Sequence, residues 1–241
     1  MGEEFCWEEL SPSLFICVSS AHKFGTDAFL LSDFAAPRRK DLCCDLGTGC
    51  GIIPLLWFRD DPPRLCYGAD IQKQAIEQLE QSIQKNGLKN RFIPLLTDLK
   101  GLSSLPCGPL DLVTCNPPYK AQGSGILSET DAERIARHEV LCTIEDVCQA
   151  ASRLLRFGGR LCLCQRPERL CDTLCAMRSA GIEPKRVRFV QQRPASAPWL
   201  FLVEGKKGSK PYMTVEPPLL VEGEGGFSQE ILRIYHKKEN L

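Results

Sequence analysis

Asp45-Leu46-Gly47-Thr48-Gly49-Cys50-Gly51 is the stretch that decides how this chain is read. Glycines at every second position let the backbone turn tightly and approach a ligand closely. The residues in front of it, Asp41–Leu46, read as a buried strand. Those behind it read as a helix through about Phe58. Outward from this βα unit the alternation continues. Arg64–Asp70 reads as a second strand, and Gln72–Asn86 as a helix with Ile76, Leu79 and Ile83 on one face, stopped at Asn86-Gly87. Phe92–Leu96 and Leu110–Cys115 read as the third and fourth strands. Thr143 with Asp146 resembles a capping box opening a helix through Leu155, and Gly158-Gly159 leads into a strand over Arg160–Cys164. Pro167 suits the first turn of a further helix ended by Gly181. Val187–Val190 and Trp199–Glu204 are two late strands with no helix between them. The expectation is an α/β fold, doubly wound and mostly parallel, with an antiparallel edge strand.

The chain has 241 residues, of which 43% are hydrophobic and 25% charged, so one sizeable core is available and wholesale disorder is excluded. No apolar run reaches bilayer length, and the N-terminus opens with Glu3 and Glu4 rather than a basic and then apolar stretch. The expectation is a cytoplasmic, unexported protein with no membrane partner. Thirty basic and thirty acidic residues balance, but unevenly. Residues 1–150 carry 14 Lys/Arg against 21 Asp/Glu, and residues 151–241 carry 16 against 9. A basic second half points to an anionic partner, nucleic acid first, against the plain alternative of unevenly distributed surface charge. Fourteen cysteines occur without any C-x-x-C pair, beside only three histidines. They read as small apolar core filler, and no metal is expected, even at the densest group, Cys162, Cys164, Cys171 and Cys175.

Ligands of such sheets bind beyond the carboxyl ends of the strands. Asp70 ends the second strand, 19 residues past Gly51, where a carboxylate can accept both ribose hydroxyls of a nucleoside. Asp98 ends the third, in reach of an exocyclic amine. A nicotinamide dinucleotide fingerprint requires a third glycine at position 52, and Ile52 stands there. An acidic residue two positions before G-x-G-x-G resembles instead the pattern of S-adenosylmethionine-dependent methyltransferases. After the fourth strand comes Asn116-Pro117-Pro118-Tyr119. Two consecutive prolines fix φ and remove two donors, so the segment neither continues the strand nor starts an ordinary helix. It offers the side-chain oxygen of Asn116 and the carbonyl of Pro117 to the two hydrogens of a planar NH₂ group, with the ring of Tyr119 to stack on it. Such an amine is conjugated and a poor nucleophile. Holding both hydrogens favours a pyramidal nitrogen with a freed lone pair.

With Asp45-x-Gly47-x-Gly49-x-Gly51 upstream, this tetrapeptide resembles the signature of amino-methyltransferases. His22-Lys23-Phe24-Gly25-Thr26-Asp27-Ala28-Phe29-Leu30-Leu31, Ala136-Arg137-His138-Glu139 and Pro184-Lys185-Arg186-Val187-Arg188-Phe189-Val190 make the chain similar to the tRNA1(Val) (adenine(37)-N6)-methyltransferase family. The resemblance implies a seven-stranded Rossmann-like methyltransferase sheet over residues 37–241 behind an N-terminal cap of residues 1–36. It implies S-adenosyl-L-methionine as cofactor and a tRNA adenine as substrate, in a monomer or weak homodimer. Asn116, Pro117, Pro118 and Tyr119 would hold the target base. Asp45, Gly47, Thr48, Gly49 and Gly51 would line the methionine and ribose end, Asp70 and Ile71 the ribose, Asp98 and Leu99 the cofactor adenine. Phe24, Thr26 and Asp27 would close over it, although Thr26 or Asp27 also suits a helix cap.

Lys120, Arg186, Arg188, Arg193, Lys206 and Lys207 are the expected phosphate contacts, Arg186 and Arg188 sharing a strand face opposite Val187 and Phe189. Gln122–Thr130 reads as a substrate loop or a plain connection, and His138 more as a structural than a catalytic residue. Methylation of rRNA, DNA or a protein glutamine, and a non-catalytic binding module, remain the other readings.

Overall fold

Leu42–Leu46, the strand in front of the glycine run, lies in the middle of the main sheet. The computed structural model describes residues 5–19, 24–117 and 142–236. The chain opens with an antiparallel hairpin, β1 (Cys6–Ser11) and β2 (Leu14–Val18), followed by α1 (Thr26–Ala35). Alternation then sets in with β3 (Leu42–Leu46), α2 (Ile52–Arg59), β4 (Leu65–Asp70), α3 (Lys73–Lys85), β5 (Phe92–Leu96) and β6 (Leu110–Cys115). It resumes with α4 (Ile144–Leu154), β7 (Leu155–Gln165), α5 (Leu170–Ser179), β8 (Ile182–Gln191) and β9 (Pro198–Lys207). Thr143 and Asp146 do form a reciprocal capping box on α4. β7 starts directly behind that helix, earlier than expected, with a register shift opposite Leu110 to Leu112 that absorbs Gly158-Gly159.

Seven long strands run in the order β5-β4-β3-β6-β7-β9-β8. All are parallel except β9, which pairs antiparallel with β7 on one side and β8 on the other. The antiparallel strand is therefore the second from the end among the seven long strands. Beyond β8 come two short parallel strands, β10 (Thr214–Val215) and β11 (Leu219–Leu220), then a small hairpin of β12 (Glu222–Gly223) and β13 (Gly226–Phe227) and helix α6 (Gln229–Tyr235). No helix among the described residues is long and apolar enough to cross a membrane.

Side chains of successive strand residues point to opposite faces, and both faces are covered, so the strands read as nearly continuous apolar runs. Cys43, Cys66, Leu112, Cys162 and Cys164 lie on the face packed by α1, α2 and α3, and Cys44, Tyr67, Val113, Leu161 and Leu163 on the face packed by α4 and α5. Nine of the fourteen cysteines are buried and all are free thiols. Burial holds Cys43, Cys44 and Cys66 well above the ordinary thiol pKa, so they pack as neutral, small apolar groups. The N-terminal hairpin, which the sequence pattern did not announce, hangs on Asn86. Its amide nitrogen donates to Phe15 O at 2.6 Å and its oxygen accepts from Phe15 N at 2.9 Å.

Glu204 of β9 joins the sheet to α1. Its Oε2 accepts from Arg160 at 2.9 Å and from Arg186 at 3.2 Å. The same two guanidiniums donate to the carbonyls of Ala35 (3.0 Å) and Phe34 (2.6 Å), where the last turn of α1 has no helical donors to offer. Arg186 also stacks over the Phe34 ring at 3.8 Å and reaches Glu216. Arg188 forks onto both oxygens of Glu230 in α6, at 2.7 and 2.8 Å. These two arginines, expected to meet phosphate, spend their donors inside the protein. Arg186→Ala is therefore expected to lower folding stability by about 1–3 kcal/mol in urea denaturation, its partial exposure discounting the figure for a buried pair. The KM for any RNA substrate should stay unchanged. A variant with wild-type stability and a raised RNA KM would restore the phosphate assignment.

Candidate active site

Chain order steps from β3 outward through β4 to β5, then returns to β6 on the other side of β3. That reversal opens a crevice at the carboxyl ends of β3 and β6. Leu46 is paired with Cys115, so the glycine run and Asn116 emerge side by side.

The glycine run is held by β4. Gly47 N and Thr48 N donate to Ala69 O at 2.8 and 3.0 Å, and Gly49 N donates to Asp70 Oδ2 at 2.9 Å. Asp70 Oδ1 accepts from Gln72 N at 2.9 Å, so both carboxylate oxygens are oriented while each keeps a further lone pair. Gly47 and Gly49 have φ of +67° and +55°, and a Cβ on either would meet nothing within 4 Å. Their backbones face open space. Gly51 differs: a Cβ there would lie 2.4 Å from Leu79 Cδ1, so this glycine seats α2 against α3 and lines neither of the two cavities beside it.

Two cavities share Gly47, Gly49 and Asn116 as a common wall. The larger, about 300 Å³, extends over Asp70, Ile71, Asp98 and Leu99 toward Pro117. The smaller, about 200 Å³, runs past Asp45 and Thr48 under Phe24 and Gly25. Most of the residues expected from sequence thus meet around one crevice. Thr26 and Asp27 line neither cavity. N-cap Gly25 opens α1 without any side-chain cap, and the Thr26 side chain lies close to Tyr235 instead. Gln72, Thr97, Cys142 and Val147 line the larger cavity without having been singled out. Neither was Arg153, whose guanidinium donates to the carbonyls of Leu99, Lys100 and Leu102 and so fixes the turn beyond Asp98. Only the packing of α4 brings it there, and no local pattern signals it.

Asp45 is 1% exposed. Burial raises its carboxyl to about pH 7, against the hydrogen bond from Thr114 Oγ1 at 2.7 Å, which lowers it. Thr48 Oγ1 lies close enough to act on Asp45, yet it is buried without a hydrogen bond of normal geometry among the described residues. An open glycine cradle, an oriented carboxylate for a diol, an orphaned hydroxyl and a strained buried acid together suit a cationic nucleoside. Burial keeps Cys115 well above the ordinary thiol range and Cys142 at about 11, so neither supplies a thiolate nucleophile at neutral pH. Among the described residues, no group of three or more His, Cys, Asp or Glu is arranged to hold a metal ion.

The remaining sequence assignments fall elsewhere. Arg193 pairs with exposed Glu222. Lys206 sits beside Arg160, at the level of Leu112 and so toward the amino ends of the parallel strands, away from the crevice. Lys207 donates to Ser152 O and Leu155 O at 2.6 and 2.8 Å, which makes it part of the α4–β7 junction. Pro118, Tyr119, Lys120, the segment Gln122–Thr130 and His138 lie outside the described residues.

A cation bound beside Asp45 favours its charged form, so proton and ligand compete. S-adenosylmethionine is expected to bind up to about tenfold more weakly at pH 6 than at pH 7.5, and Asp45→Asn to flatten that dependence. Calorimetric titration across this range is the check, and equal slopes for both proteins would remove Asp45 from cofactor binding.

Comparison with known proteins agrees with this geometry. A tRNA1(Val) (adenine(37)-N6)-methyltransferase of Tolumonas auensis is 28% identical over 218 residues, 89% of this chain and 88% of the relative. One of the same name from Parabacteroides distasonis is 28% identical over 185 residues, 76% of each chain. Among solved structures, a predicted O-methyltransferase of Agrobacterium tumefaciens superposes with a TM-score of 0.69 at 21% identity, covering 88% of this chain and 96% of the other. That likeness is one of fold. Residues 18–177, which hold the glycine cradle, Asp70 and Asn116, match the family description "methyltransferase small domain", and the chain belongs to that family.

Proposed function

We propose that this protein is an S-adenosyl-L-methionine-dependent methyltransferase acting on the exocyclic N6 amine of an adenine in tRNA. The relatives' names narrow the proposal to an anticodon-loop adenine of a valine tRNA. Residues 37–241 would form the catalytic domain and residues 1–36 its cap, in a cytoplasmic monomer or weak homodimer. The observation that carries the reading is the position of Asn116, followed by Pro117, on the wall shared by both cavities. An amine acceptor has to meet the donor at such a wall.

When bound, the cofactor supplies a methyl group on a positively charged sulfur. Asp70 would hold its ribose, the loop fixed by Arg153 would carry Asp98 and Leu99 along its adenine, and Asp45 with Thr48 would face its amino-acid end. Asn116 Oδ1 and the carbonyl of Pro117 would accept the two N–H bonds of the target amine, which aims the nitrogen lone pair at the methyl carbon. The amine would take the methyl as its bond to sulfur breaks and leaves a neutral thioether, and would then shed one proton to water, so no side chain needs a pKa matched to that step. A base in a folded loop must leave its stack to enter, at a cost of about a few kcal/mol.

Labelled S-adenosylmethionine offered with total tRNA, rRNA and soluble protein separately, followed by digestion of the product, tests this. N6-methyladenosine from tRNA is the expected result. Label in rRNA, or in a protein glutamine, would keep the cofactor and replace the substrate. Asn116→Ala should lower turnover by about a hundredfold or more while cofactor affinity is retained. A fully active variant would refute its base-holding role.

A further inference from the structure

We infer that Cys164 is a positioning residue for the methyl acceptor, acting through the side-chain amide of Asn116. The inference rests on the amine-transfer reading above and adds a residue to it. β7 runs parallel beside β6 with Leu163 paired to Cys115, which brings Cys164 level with Asn116. Its sulfur lies 3.1 Å from Asn116 Oδ1. The side chain is fully buried, packed in the layer that also holds Cys162, Leu200 and Leu202.

A thiol has one proton to give, and an amide NH₂ has no lone pair to receive it. The contact therefore selects the amide orientation that turns Oδ1, not Nδ2, to the sulfur. An amide oxygen carries two lone pairs, so a bond from the thiol is compatible with a second from a substrate N–H. Rotated by half a turn, Asn116 would offer an N–H to a sulfur that accepts only weakly, and the amine would lose its acceptor. Asn116 and Cys164 each follow the last β6–β7 pair, Cys115 with Leu163, by one residue, so backbone pairing keeps the two close. Cys162, two residues earlier in the same layer, turns its thiol to Glu204 instead, and Cys164 turns its own to Asn116.

Replacing Cys164 by valine and by serine separates donation from packing. Valine keeps apolar bulk without a donor, and serine keeps a donor at the expense of apolar bulk. Steady-state kinetics on unmodified tRNA should show kcat falling about five- to tenfold in Cys164→Val, the size of one lost hydrogen bond. The KM for S-adenosylmethionine should stay within about twofold, since the sulfur lines neither cavity. Cys164→Ser should keep a kcat above that of Cys164→Val despite a lower melting temperature. Cys164→Ala replaces valine in the comparison if the branched side chain prevents folding. Packing alone gives the opposite order, valine at or above serine, and that order or equal kcat values would overturn the inference. A folded wild-type enzyme that binds S-adenosylmethionine but methylates no exocyclic amine would overturn the reading beneath it.

Discussion

The hydrogen bond from Gly49 N to Asp70 Oδ2 couples the ends of the two strands on which the site is built. It exists because glycine alone takes the left-handed turn at positions 47 and 49 without strain, which lets the loop fold back over β4. With Gly47 N and Thr48 N on Ala69 O, the loop is held at three points by one neighbouring strand. The carboxylate that closes this bond is the one oriented toward the larger cavity. Support of the loop and the proposed ribose contact thus fall on the same side chain, and a change at Asp70 would act on both.

On the other side of β3, parallel pairing with β6 delivers Asn116 to the same crevice. In the proposed reading, the donor cradle and the acceptor clamp come from two loops at the ends of paired strands. Thr114, one residue before Cys115 on β6, bonds Asp45 on β3 and so ties the acceptor strand to the cradle as well. Small thiol-bearing residues at Cys43, Cys44, Cys162 and Cys164 fill this region at high density. Burial keeps the described thiols next to the cavities protonated, which suits direct transfer to an amine rather than covalent cysteine chemistry.

The basic C-terminal half turns out to be largely internal chemistry. Arg160 and Arg186 converge on Glu204 and the open end of α1, Arg188 ties α6 to β8, and Arg233 grips Asp33 through two bonds. Arginine suits this work because its planar fork stays charged and satisfies carboxylates and carbonyls at once. Net charge by segment therefore says where the guanidiniums are in the chain, not whether they face a polyanion.

The sequence by itself determined the alternating strands and helices, the glycine turn after β3, the capping box at Thr143, and the meeting of Asp45, Asp70, Asp98 and Asn116 at the strand ends. These depend on local periodicity, on the conformational freedom of glycine and on the rule that such sheets bind at their carboxyl ends, all of which are written in consecutive residues. Assembly of the sheet, and no local pattern, puts β9 between β7 and β8, Thr26 beside Tyr235, and Arg186 and Arg188 against Glu204 and Glu230. It also decided that Arg153 fixes the turn past Asp98 and that Cys164 touches Asn116. The side-chain pairs among these join residues at least 18 positions apart, on elements whose neighbours are set by packing. A long charged or thiol side chain offers the same local pattern whether it meets solvent, a phosphate or a buried carboxylate, and its partner is chosen only when the sheet has assembled.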